Sequence, residues 1–92
     1  MVFTQDEPAL LIGKNVSDNL PWTIEGLEAF PNHKITVLNR WGEEVFTITG
    51  GYTNNWHGTF KDKKLPQGTY YYQIDTGETG KKPILGSLYV IR

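Results

Sequence analysis

Lys34-Ile35-Thr36-Val37-Leu38-Asn39-Arg40-Trp41-Gly42-Glu43-Glu44-Val45-Phe46-Thr47-Ile48-Thr49 is the stretch that decides the fold class. Its two flanks alternate with the period of two that a half-buried strand requires. Ile35 and Val37 share one face; Thr36 and Leu38 share the other. In the second flank Phe46 and Ile48 lie on one face, with Val45, Thr47 and Thr49 opposite. Asn39 to Glu44 reads as a turn, because Gly42 can take φ > 0 at no steric cost. Two alternating strands around such a turn make a hairpin.

Working outward, Leu65-Pro66-Gln67-Gly68 has Pro at the second and Gly at the fourth position, the signature of a type I turn. It launches the strand Thr69-Tyr70-Tyr71-Tyr72-Gln73-Ile74-Asp75. Tyr70, Tyr72 and Ile74 point one way; Thr69, Tyr71, Gln73 and Asp75 point the other. Ile84 to Ile91 is the last strand, and Gly86 within it marks a bulge or a close backbone approach. Upstream of the hairpin, Leu10–Ile12 and Trp22–Ile24 are candidate strands, with a turn or loop at Asn15–Asn19. Glu25–Phe30 is expected to form one helical turn, stopped by Pro31. Tyr52 to Thr59 reads as a polar loop with two aromatics, and Lys61–Lys64 as a charged turn. About seven short strands result, the pattern of an all-β sandwich or barrel.

The rest of the composition agrees. The chain has 92 residues, 38% hydrophobic, with 13% aromatics and ten glycines. That is one small domain with one modest core. Nine basic residues face ten acidic ones, for a formal net charge of -1. This balance gives no electrostatic case for nucleic acid. There are no cysteines, which excludes disulfides, thiol chemistry and Cys-ligated zinc. The first residues lack a basic start and a long apolar run, so no signal peptide is expected in the chain as given. Ala9-Leu10-Leu11-Ile12 is far short of the roughly 20 residues of a membrane span.

Catalytic constellations are missing. Ser17 and Ser87 lie outside any Gly-x-Ser-x-Gly elbow. His33 and His57 have no second His at metal-ligand spacing, and His57 reads as an exposed loop residue. Glu25/Glu28 and Glu43/Glu44 read as solvated charges. The expectation is a protein that is not an enzyme, with no cofactor and no metal. Asn15, Asp18 and Asn19 place oxygens close together, but a calcium loop wants more carboxylates; an Asx-type turn is the simpler reading. Asn15-Val16-Ser17 also fits a glycosylation sequon. Trp22, Trp41 and Trp56, with Tyr52 and Tyr70 to Tyr72, could form a sugar-stacking platform, or they could fill the core. Lys61, Lys63 and Lys64 with Lys81 and Lys82 form an anion-attracting patch only if both turns lie at one end.

Several segments, in order, resemble the gliding motility-associated C-terminal domain, the type B sorting domain of the type IX secretion system in Bacteroidetes. They are Ile24 to Asn32, Ile35 to Gly42 with Val45-Phe46, Trp56-His57-Gly58-Thr59, Leu65-Pro66-Gln67-Gly68-Thr69-Tyr70-Tyr71-Tyr72, and Gly86 to Arg92. The resemblance covers roughly residues 10–92. It departs at Lys14 to Trp22, where the family's Asn-Gly-Asp-Gly-x-Asn-Asp-like loop has lost its glycines and most acids. It implies a small immunoglobulin-like antiparallel β-sandwich. It also implies one sorting domain over residues 1–92, with its core at about 10–92, as a fragment of a larger exported protein.

The implied function is to direct a surface or secreted cargo across the outer membrane after transit through the periplasm. The implied partners are the type IX machinery and a dedicated outer-membrane protein, with a monomeric domain and no nucleic acid. The alternative is a carbohydrate-binding or adhesin module of the same architecture, taking a glycan. Candidate recognition residues are Asn39, Arg40, Trp41 and Gly42, with Leu88, Tyr89, Val90, Ile91 and Arg92. At the turn, Trp41 is expected to pack underneath. Arg40 either helps hold the fold or projects as a planar donor fork for the translocon. The final strand is expected to be an edge open to β-augmentation. Its deletion from Leu88 is expected to strand cargo in the periplasm. Trp56, Gly58, Leu65, Pro66, Gly68, Tyr70 and Tyr72 form the structural motif.

Overall fold

The computed structural model describes residues 10–92. Nine short strands follow one another: β1 Leu11–Ile12, β2 Asn15–Val16, β3 Ile24–Glu25, β4 Lys34–Leu38, β5 Glu44–Thr49, β6 Thr59–Phe60, β7 Lys63–Lys64, β8 Gly68–Asp75 and β9 Ile84–Val90. A 3-10 turn at Leu27–Ala29 stands between β3 and β4, where one helical turn was expected. The main layer is a five-stranded sheet in the order β2-β9-β8-β4-β5. Two separate two-stranded pairs, β1 with β3 and β6 with β7, complete the fold. The fold is a small all-β sandwich, as expected.

Three differences from the expected fold have physical reasons. The sheet is not wholly antiparallel: β2 runs parallel to β9, with Asn15 opposite Tyr89 and Val16 opposite Val90. Two residues carry too little periodicity to be read as a strand, so Asn15–Asn19 looks like a loop. Val45 does not face solvent. The β4–β5 register shifts between Val37 and Leu38, so that Val37 pairs Phe46 while Leu38 pairs Glu44. The extra residue is a bulge, and it lets Val45 and Phe46 both turn inward. Tyr52 and Trp56 do not decorate a solvated loop; both are buried.

Trp22 is the centre of the core, with no exposed surface. Its ring centroid lies 6.1 Å from Tyr52, 6.2 Å from Trp56 and 5.4 Å from Tyr72. Phe46 stacks on Trp56 at 4.8 Å and 21°. The polar handles of the buried Trp22, Tyr52 and Trp56 are used, as buried indoles and phenols require. Trp22 Nε1 donates to the Gly13 carbonyl at 2.8 Å, and the Tyr52 hydroxyl donates to the Trp22 carbonyl at 2.6 Å. Below this aromatic cluster Ile35, Val37, Ile74, Leu88 and Val90 form the sheet's inner face. His33 is buried as well. Its Nδ1 lies 2.6 Å from the Phe30 carbonyl, and its Nε2 accepts from the Tyr52 N–H at 3.3 Å.

This packing disposes of the sugar platform as first drawn: Trp22, Trp56, Tyr52 and Tyr70 are core residues. Trp41 and Tyr71 are exposed. The two basic turns also fail to meet. The 76–83 connection leaves β8 beside Lys34 and Thr49. Lys63–Lys64 precedes Leu65, at the end of β8 where Gly68 pairs Val90.

Candidate functional site

The β4–β5 turn is built by Asn39. Its Oδ1 accepts from the backbone N–H of Trp41 at 2.9 Å and of Glu43 at 3.0 Å. Its Nδ2 donates to Glu43 Oε1 at 2.9 Å. The main chain closes the same loop, with the Asn39 N–H donating to Glu43 O and Gly42 N–H to Asn39 O. Gly42 sits at φ 83°, a conformation that costs a side-chain-bearing residue energy. The turn is therefore rigid without help from its two central side chains, and those point outward. Trp41 is 69% exposed, and the Arg40 guanidinium carbon stands 4.4 Å from its ring centroid. Such an exposed cation–π pair is worth only about 0.5–1 kcal/mol, so it does little for the fold. The expectation that Trp41 packs under the turn is corrected.

The second wall comes from Leu65 to Tyr70. Leu65 is buried and anchors the segment. The chain bends at Gln67 and enters β8 at Gly68, one residue earlier than the sequence suggested. The buried Tyr70 ring sends its hydroxyl back to the Pro66 carbonyl at 2.8 Å. Burial raises the Tyr70 phenol above its ordinary pKa, so it remains a donor. Asn39, Arg40 and Trp41 line one side of a shallow cleft, and Leu65 to Tyr70 line the other. The cleft has a volume of about 260 Å³.

Arg92 ties this end of the sandwich together. Its Nε donates to the Leu65 carbonyl at 2.8 Å and one terminal nitrogen donates to the Gly58 carbonyl. The other terminal nitrogen donates to Asp18 Oδ1 at 2.7 Å and reaches the His57 carbonyl at 3.4 Å. Its backbone N–H donates to Gln67 Oε1 at 3.0 Å. Lys64 pairs with the second Asp18 oxygen at 2.9 Å. The Lys64 hydrogen bond, with the charges of Lys64 and Arg92, holds the Asp18 carboxyl below its ordinary range. Among the described residues, no cluster of His, Asp and Glu could hold a metal ion.

Residues 12–90 match the CHU_C Type IX secretion signal domain. The chain belongs to that family. No curated protein and no solved structure matches it significantly. The signal domain is a sorting signal for cargo of the type IX secretion system. It works with that machinery and marks its cargo for export across the outer membrane, to the cell surface or the medium.

Within the signal domain the candidate residues fall into three groups. Arg40 and Trp41 are exposed on the turn that Asn39 and Gly42 shape. Leu88 and Val90 are 2% and 0% exposed, so they are core residues and not a recognition surface. Tyr89 and Ile91 alternate outward. The final strand is also not an open edge where it was expected to be. The Tyr89 N–H donates to Lys14 O and the Ile91 N–H to Val16 O, both at 2.8 Å. Deleting Leu88 onward would remove core, so that deletion does not isolate a recognition role. Of the expected structural motif, Trp56, Leu65 and Tyr70 are buried, Tyr72 packs against the core, Gly58 sits at φ 80°, and Pro66 and Gly68 line the cleft.

Sequence reasoning missed the roles of Asp18, His57 and Gln67. Asp18 invited a calcium reading, yet its carboxylate faces two cations from residues 46 and 74 positions away. His57 is half-buried, its Nδ1 lying 3.2 Å from the Ser17 carbonyl. Gln67 stood inside a quoted motif, with no local signal for a partner 25 residues downstream.

Proposed function

We propose that the secretion machinery reads the domain at the cleft between the Asn39–Gly42 turn and the Leu65–Tyr70 segment. The carrying observation is Trp41: 69% exposed, on a turn stiffened by Asn39, and beside a cleft to which both motifs contribute. An exposed Trp with an Arg against it is the composition of an interface hot spot. A rigid turn holds the pair at low entropic cost to binding. Its partner in this reading is a dedicated outer-membrane protein. The domain acts as a monomer and performs no catalysis. It forms the sorting end of a larger cargo that crosses the periplasm before outer-membrane passage.

The reading is tested with a periplasm-directed fluorescent protein fused to residues 1–92 in a gliding bacterium. Release to the surface or medium is expected only with a working type IX system and the candidate outer-membrane partner. Retention of a folded fusion in the periplasm of the competent strain would contradict it.

A further inference from the structure

We infer that Arg92 is a positioning residue for the recognition cleft, acting through the Leu65–Gly68 wall and not by contacting the reader itself. This rests on the cleft reading above. The guanidinium is the better buried partner of its ion pair, with 19% of the Arg92 side chain exposed against 48% of Asp18. Its planar fork is committed to Leu65, Gly58, His57 and Asp18. Only Arg presents donors in that fixed geometry; the single ammonium of Lys cannot reproduce it.

Two of the tethered residues, Leu65 and Gln67, line the cleft. The wall is thus held from behind by one side chain and one backbone amide of the same residue. Gly58 is fitted to the arrangement. A β-carbon there would stand 3.0 Å from the guanidinium, and the residue sits at φ +80°. Its carbonyl receives Arg92 and also the Leu65 N–H at 2.8 Å. Asp18 fixes the far side of the fork, and Lys64 fixes Asp18. The cleft's shape therefore depends on a network that does not enter it.

The test uses the reporter fusion carrying Arg92→Ala, Arg92→Lys, Trp41→Ala and, as a stability control, Ile48→Ala. Ile48 packs on the core in β5, opposite Ile35 and away from the cleft. Export is read beside the thermal midpoint and the amide spectra of the free domain. Arg92→Ala and Arg92→Lys should lower export about tenfold, the loss of one charge-assisted contact. The control, at an equal or lower midpoint, should export normally. The amide signals of Gln67, Gly68 and Trp41 should shift in both Arg92 variants. If Arg92→Ala fails to fold, Arg92→Lys carries the comparison. Arg92 variants that export like the control while Trp41→Ala fails would overturn the positioning role alone. Normal export of Trp41→Ala would overturn the cleft reading, and the inference with it.

Discussion

Tyr72 lies over Gly86: the two are opposite one another across β8 and β9, and a β-carbon at position 86 would fall well inside contact distance of the Tyr72 ring and hydroxyl. The glycine is there for space. It allows a Tyr to lie flat on the neighbouring strand and reach Trp22.

Gly86→Ala should therefore destabilise the domain by about 1–3 kcal/mol, the usual range for overpacking. Urea unfolding measures it. Combining it with Tyr72→Leu should give less loss than the two single changes added, because both act on one contact.

Trp22→Ala should cost about 3–5 kcal/mol. A domain of this size holds roughly 5–14 kcal/mol in all. Loss of the indole also leaves the Gly13 carbonyl without its donor. The expected outcome is a strongly lowered thermal midpoint, read by the cooperative thermal transition; Trp22→Phe should fall between Trp22→Ala and the unsubstituted domain.

Acid should weaken the tie between Asp18, Lys64 and Arg92. The folded-state pKa of Asp18 lies below its ordinary 3.8. Its contribution is thus present above that value and is lost as pH falls through the folded pKa. Asp18→Asn should flatten the acid limb of the urea midpoint below about pH 4. The alkaline limb has the opposite origin. Burial pushes the Tyr52 phenol up from 10.0 to about 12. Its contribution is complete below pH 10 and fades as pH rises through about 12. Tyr52→Phe should remove that part of the alkaline loss, though it also breaks the bond to Trp22 O.

The main ladder was legible in the sequence because β4, β5, β8 and β9 are long enough to show period-two alternation. The sequence groups Ile35 with Val37, and Tyr70 and Tyr72 with Ile74, on shared faces, and the structure turns both of those faces inward. The two-residue strands were not legible: Asn15–Val16 owes its state to β9, distant in the chain, and Lys63–Lys64 pairs with the nearby Thr59–Phe60 over too few residues to show a period. Val45 departs from its expected face because it is the extra residue of a bulge, which turns it inward beside Phe46 while Phe46 to Thr49 keep the expected alternation. At the site, the Asn39 turn could be read locally, as its hydrogen bonds span at most four residues. The Arg92 network could not, because its hydrogen bonds join residues between 25 and 74 positions apart.

The central claim is that the folded surface around Trp41 is what the machinery reads. Trp41 is exposed, so Trp41→Ala should leave stability within about 0.5 kcal/mol. The direct measurement is export of the Trp41→Ala reporter fusion in a type IX-competent strain, with its unfolding midpoint measured alongside. The account predicts an unchanged midpoint and a fusion retained in the periplasm. Export at the unsubstituted level with the same midpoint would contradict it.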